Sequence, residues 1–267
     1  MYQLDILKGR VAYISGGTSG INLGIAKGLS AYGAKVVVIG RNSEKAQAAA
    51  EEIRQHAGGE ALAFSADVRD FGAVMATIEQ TREHFGPPDI VIAGAAGNFP
   101  APASNISANG FKTVMDIDLQ GTFNVFRAAY EHCNKPGSSF IAITAEQAVK
   151  AMPFQSHVGA AKAGINMLVK DLALEWGREG IRVNCICPGP INDTEGMRRL
   201  APTPEIEQMM KARISLGDLG DKEDIANAVV YLCSPLGRYI TGTVLDVDGG
   251  CQLGDASMNR VPQMKKA

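Results

Sequence analysis

Ten residues, "SGGTSGINLG" (15–24), carry four glycines, Gly16, Gly17, Gly20 and Gly24, where an apolar run meets an amphipathic stretch. Glycines so placed allow a tight turn, admit the backbone close to a pyrophosphate, and leave the amides of a helix N-terminus facing its charge. Thr18, Ser19 and Ile21 share this turn and are expected against the same ligand. A plain structural turn is the other reading of a glycine-rich stretch. The strand pattern before it and the helix pattern after it favour a dinucleotide site.

A second apolar run, "KVVVIG", ends at Arg41, where an NAD-selective site offers a carboxylate to the ribose 2′-hydroxyl. An arginine fork there instead suits a 2′-phosphate, through charge-assisted hydrogen bonds worth about 1.5–3 kcal/mol each. NADP(H) is therefore the expected cofactor, although Arg41 also fits a solvated helix-start residue. Asp67 and Val68 lie in "SADVRD" (65–70), from which the Asp67 carboxylate can accept from an adenine amino group. Asp67 or Asp70 can equally cap the helix that follows.

These residues need a frame that brings strand ends to one edge. The runs "RVAYIS", "KVVVIG", "ALAFSAD", "PDIVIAG", "SFIAIT", "IRVNCIC" and "GTVLDVDGG" have strand character and alternate with stretches of helical periodicity. Near-continuous apolar strands, each followed by a helix, call for a parallel sheet covered on both faces. An α/β, doubly wound Rossmann-type fold is expected, with residues 1–267 as one domain. Residues 188–206, "PGPINDTEGMRRLAPTPEI", carry four prolines and little apolar periodicity, and are expected as a lid-like loop. The polar stretch 252–267 is expected to be loose or to dock on a neighbouring subunit.

At 267 residues and 46% hydrophobic composition, the chain can bury a full core. A formal charge of −2 without a basic cluster argues against nucleic-acid and membrane-surface binding. No apolar run approaches the roughly 20 residues that span a bilayer. The five cysteines are scattered, Cys185 and Cys187 included, and imply neither a disulfide framework nor a metal site. A reducing cytoplasm is expected.

Lys162 in "SHVGAAKAG" (156–164) and "NCICPGPI" (184–191) extend the pattern. With the glycine turn they resemble the short-chain dehydrogenase/reductase family over nearly the whole chain. That resemblance implies Pro188, Gly189 and Ile191 in the cofactor site and Lys162 on the nicotinamide ribose. "AAGNF" (95–99), "GFKTVMDIDLQGTFNV" (110–125), "ITAEQA" (143–148) and "PGPINDTEGMRRL" (188–200) are most similar to the peroxisomal type of 2,4-dienoyl-CoA reductase. An acyl-CoA substrate, a role in unsaturated fatty acid degradation and a homotetramer follow from the resemblance alone.

Ordinary carbonyl reductases of the family use a Ser, a Tyr, a Lys and an Asn. The matching positions here hold Ala145, Val158, Lys162 and Asp118. Losing a general acid typically costs about 10²–10⁴ in rate, so ordinary ketone reduction is not expected. The tyrosine of the mitochondrial dienoyl-CoA reductases is also absent, its position being Gln147. The peroxisomal type nominates Asp118 with Lys162. Burial and a neighbouring ammonium act on such a carboxyl in opposite senses, so Asp118 is expected mainly to orient a water and Lys162 to lower that water's pKa. Asp118 could instead only link backbone groups, and His157 could participate or simply pack.

Resemblance further implies that Arg69, Arg198 and Arg199 meet coenzyme A phosphates, which suit bidentate arginine. It places Phe99 and the stretch containing Ser107 and Asn109 beside the thioester and acyl chain. Each arginine also fits a solvated loop charge. A ketone reductase using the same pair, and a non-catalytic NADP(H)-binding protein, are the alternatives.

Overall fold

β-Branched and small apolar residues dominate the strands, and those in the middle of the sheet leave almost nothing in water, whereas the two edge strands are partly exposed. In the computed structural model, which describes residues 5–257, the strands are β1 (Val11–Ser15), β2 (Lys35–Gly40), β3 (Ala61–Ser65), β4 (Ile90–Ala93), β5 (Ser139–Ile143), β6 (Arg182–Pro188) and β7 (Val244–Val247). They pair in parallel throughout, in the order β3-β2-β1-β4-β5-β6-β7. The seven expected runs all form strands of this one doubly wound sheet.

Alternation along the strands sorts side chains into two cores. Ala12, Ile14, Val36 and Val38 face α1 (Gly20–Ala31), α2 (Ser43–Ala57) and α9 (Lys222–Cys233). Tyr13, Val37, Ile39 and Phe140 face α3 (Phe71–Phe85), α5 (Gly121–Tyr130) and α6 (Ser156–Trp176). Phe126, Phe140 and Trp176 stack at centroid distances of 5.3 and 5.8 Å, and the buried Tyr13 hydroxyl meets Thr77 Oγ1 at 2.7 Å. Tyr130 lies against Trp176 with its hydroxyl on Glu179 Oε1, at the boundary of this core.

Strand order reverses between β1 and β4, which opens a crevice beyond the carboxyl ends of the strands. Two features shape its rim. Between α4 (Ala108–Met115) and α5 the helix widens into a π turn, Asp116–Gln120, which carries the buried Asp118. Such turns recur at functional sites because one extra residue re-aims a side chain.

The second feature departs from expectation. Residues 188–206 are not one long loop: they hold α7 (Glu195–Leu200), capped by Thr194, and the start of α8 (Pro204–Arg213), capped by Thr203 with Pro204 in its first turn. Threonine caps and an N-terminal proline start helices without apolar periodicity, so the four prolines mislead. Of the polar stretch 252–267, residues 258–267 lie outside the described residues.

At the opposite edge, buried Asp89 fixes the start of the sheet. It accepts from Val11 N (2.8 Å), Arg10 Nη1 (2.9 Å) and Asn134 Nδ2 (2.8 Å). Removing it strands three donors. Asp89→Ala is expected to lower unfolding free energy by about 2–4 kcal/mol, seen in urea melts as a lower midpoint with an unchanged slope.

Candidate active site

The crevice consists of two cavities with a common wall. The first, about 380 Å³, is lined by Gly16, Thr18, Ser19, Arg41, Lys45, Asp67 and Val68 among others. The second, about 490 Å³, is lined by Gly20, Ile21, Thr144, Gln147, Lys162, Pro188, Gly189 and Ile191 among others. Asn22, Gly94 and Ala96 border both. Thus all twelve residues expected to hold the cofactor line one of two adjoining spaces.

The glycine turn is built for close approach. Gly16 has φ +68°, and a Cβ there would stand 2.8 Å from the Ala95 backbone. Gly20, at φ +59°, opens α1. Asn22, where the family pattern would place a third glycine, has its own task. Its Nδ2 donates to Gly94 O at 2.7 Å, stitching the end of β4 to the turn after β1. Any Cβ on Gly94 would collide with that side chain.

Charge at the far end of the first cavity is positive. Arg41 has no ion-pair partner among the described residues, and Lys45 reaches Ser19 Oγ at 3.1 Å. Sequence reasoning missed Lys45, although its place four residues after Arg41, in the first turn of α2, puts both on one side. Asp67 lines the same cavity, but its carboxylate takes Arg69 Nε at 3.0 Å. The Arg69 hydrogen bond, with its charge, holds Asp67 below the usual carboxylate range. Arg69 was expected on substrate; it lies instead on the carboxylate two residues away, which matches its fork.

In the second cavity the decisive pair is buried. Lys162 Nζ stands 3.2 Å from Asp118 Oδ2, with side chains 8% and 1% exposed. Asp118 Oδ1 accepts from Gly97 N at 2.7 Å, and Lys162 Nζ donates to Ile143 O at 3.1 Å. The carboxylate therefore does more than link helix backbone, and the two charges touch without an intervening water. Lys162 lines the cavity, whereas Asp118 stands behind it. The Asp118 Oδ2 contact is one of charge, since that oxygen makes no hydrogen bond among the described residues, so of the three ammonium donors only the one on Ile143 O is committed.

Val158, one turn before Lys162, is buried against Val114 and Ala161 and does not reach the cavity. Ala145 and Gln147 do line it, and Gln147 Nε2 donates to Gln155 Oε1 at 3.0 Å. Thr144 lines it as well, its hydroxyl on Lys162 O at 3.5 Å. His157 is fully buried, its ring 4.5 Å from that of Phe99, and neither nitrogen has a hydrogen-bond partner among the described residues.

The residues expected on the substrate are more scattered. Phe99 sits at the rim against His157. Ser107 caps α4 through Gly110 N, and Asn109 lies in that helix's first turn, its carbonyl accepting from Thr113. Arg198 and Arg199 do not face the cavity: they are exposed and paired with Asp193 and Glu195, three to five residues away. The face of α7 that does line it presents Glu195, Gly196, Met197 and Leu200, joined by Met152 and Met210. Flexible thioethers suit an irregular apolar ligand. Without the helix boundaries, nothing in the sequence marked these methionines.

Known proteins were compared with this geometry in hand. The enoyl-(acyl carrier protein) reductase family model matches residues 16–252. The peroxisomal 2,4-dienoyl-CoA reductase ((3E)-enoyl-CoA-producing) of Saccharomyces cerevisiae is 45% identical over 249 residues, covering 92% of this chain and 85% of the yeast protein. Its namesake from Rattus norvegicus is 43% identical, covering 92% and 85%. A short chain dehydrogenase from Bacillus anthracis superposes with TM-score 0.81 at 38% identity, covering 97% and 99% of the two chains. A gluconate 5-dehydrogenase from Burkholderia cenocepacia, in complex with NADP and tartrate, superposes with TM-score 0.86 at 30% identity, covering 94% and 99%. The chain belongs to the short-chain dehydrogenase/reductase family and groups there with the 2,4-dienoyl-CoA reductases.

Proposed function

We propose that the protein reduces 2,4-dienoyl-CoA thioesters with NADPH, as a step of unsaturated fatty acid degradation. The observation that carries this reading is the buried Asp118–Lys162 pair standing where carbonyl reductases of the family have their asparagine and lysine, with no tyrosine or serine beside it.

The residues present fit the cofactor. Gly16, whose φ of +68° and close approach to the Ala95 backbone exclude a Cβ, lets the turn wall a space for the pyrophosphate, and Arg41 with Lys45 offers two cations to a 2′-phosphate. Pro188, Gly189 and Ile191 wall the nicotinamide end. NADPH, when bound, supplies the hydride. Everything else falls to the chain's own groups. Lys162, hydrogen-bonded to Ile143 O and held by the Asp118 charge, presents its ammonium to the cavity. There it holds the ribose and a water, and its charge makes that water a better proton donor to the carbanion formed on a conjugated thioester. A phenol beside the oxygen is not required for protonation at carbon. Asp118, which does not line the cavity, is a positioning residue that keeps the ammonium aimed.

The methionine-lined side of the cavity suits an acyl chain. Arg69, Arg198 and Arg199 reach coenzyme A phosphates only by exchanging their present carboxylate partners. Among the described residues no helix is long and apolar enough to cross a membrane. Five free thiols suit a reducing cytoplasm. Exposed Phe123, Met167 and Leu174 on α5 and α6 favour a homo-oligomer, read as a tetramer by analogy with the family.

Purified protein with NADPH and 2,4-hexadienoyl-CoA is expected to consume both chromophores together. Turnover of ketones alone would make it a carbonyl reductase, and tight NADPH binding without any turnover would make it a non-catalytic binding protein. Asp118→Ala and Lys162→Ala are each expected to lose at least about 10² in kcat. Val158→Ala, whose side chain lies outside the cavity, should leave kcat little changed. Arg41→Ala and Lys45→Ala should each raise KM for NADPH about tenfold or more while leaving KM for NADH unchanged; equal effects on both cofactors would refute the 2′-phosphate assignment.

A further inference from the structure

A third cavity, about 620 Å³, opens at the other end of the sheet, beside the residues that begin β1, β5, β6 and β7. Three arginines line it, Arg10, Arg182 and Arg238, and no acidic residue does. That composition contrasts with the chain's formal charge of −2. Cations are normally dispersed among carboxylates on such a surface, because like charges held together repel.

Two of the three are fixed in place. Arg10 is anchored from behind by Asp89 at 2.9 Å. Arg182 gives Nη1 to the carbonyls of Leu232, at the end of α9, and Gly237 (3.0 Å for the latter). It has no carboxylate partner among the described residues, and its Nε and Nη2 make no hydrogen bond there. Burial pulls the Arg182 guanidinium below its ordinary pKa, and the Arg10 charge adds to that pull. Both forks are thus held in place, Arg10 by a carboxylate behind it and Arg182 by carbonyls alone, which leaves the Arg182 charge without an anion among the described residues. Arg238 is exposed, without an ion-pair partner among the described residues, and stands beside the 94% exposed Tyr239. Pro136, Ile181, Pro235 and Ile240 give the wall an apolar side, and Ser234 and Thr241 are its uncharged polar groups beside Tyr239. A hydrogen bond from Gly137 N to Gly180 O (2.9 Å) latches two of the wall's turns together.

We propose that this cavity is a second anion site, remote from the nucleotide crevice, that takes a small organic phosphate. The oxyanion lies between the Arg10 and Arg182 forks and Arg238 closes over it, while the apolar wall takes the rest of the molecule. Guanidinium forks match phosphate oxygens two at a time, and an oxyanion removes the repulsion between the fixed pair. The space exceeds what bare phosphate fills, which favours a phosphoester over an inorganic ion. This site does not depend on the reductase reading.

The test is calorimetric titration of pyrophosphate into the full chain already saturated with NADP+, so that the nucleotide crevice is closed to the titrant. One further site per chain is expected. Arg238→Gln should weaken it about tenfold and Arg238→Glu should abolish it, while both variants keep wild-type NADPH affinity, which reports an intact fold. A phosphomonoester such as glycerol phosphate should compete for the same site. No heat beyond dilution in the NADP+-saturated protein overturns the proposal, and so does equal pyrophosphate affinity in wild type and Arg238→Glu.

Discussion

The interaction on which the rest of the site depends is the contact of Lys162 with Asp118, two charges that are 8% and 1% exposed. Taking two ions out of water costs more than their attraction returns unless the remaining hydrogen-bonding capacity is also met. Here backbone meets part of it, Gly97 N on Asp118 Oδ1 and Ile143 O on the ammonium, while Asp118 Oδ2 has the Lys162 charge beside it but no hydrogen bond among the described residues. The pair therefore joins the segment after β4, the end of β5, the π turn and α6. Those elements come from distant parts of the chain, and each presents its group only because the parallel sheet brings strand ends to one edge.

Around that edge the molecule separates its charges by task. One end of the crevice gathers Arg41 and Lys45 without a neutralising acid, while Asp67 is occupied by Arg69. The other end is apolar apart from a few groups, with Met152, Met197 and Met210 opposite the Lys162 ammonium. Asn22 spans the boundary by tying Gly94 to the glycine turn. A second accumulation of cations, Arg10, Arg182 and Arg238, lies at the far edge. A net charge near zero conceals both.

Much of this frame was legible in the sequence. Seven short apolar runs sufficed to specify seven parallel strands, because such runs are stable only when both faces are covered. The glycine turn and Arg41 stood out because backbone geometry and charge at strand ends leave a local signature, whereas the Pro188–Ile191 segment was implied by the family resemblance. What escaped was set by tertiary partners. Arg69, Arg198 and Arg199 looked free until Asp67, Asp193 and Glu195 proved to lie within reach. Residues 188–206 looked like loop because threonine caps start helices without periodicity. The water expected between Asp118 and Lys162 gave way to direct contact, since a π turn cannot be read from residue types.

With Ala145, Val158 and Asp118 at three of the family's four polar positions, the Asp118–Lys162 pair is what the site retains. The account holds that Asp118 works only through Lys162, so the two are one unit. A double-mutant cycle on kcat/KM with Asp118→Asn, Lys162→Met and the combined variant measures this directly. The account predicts that the combined variant is no slower than the slower single variant. Losses that multiply would show two independent contributions and contradict it.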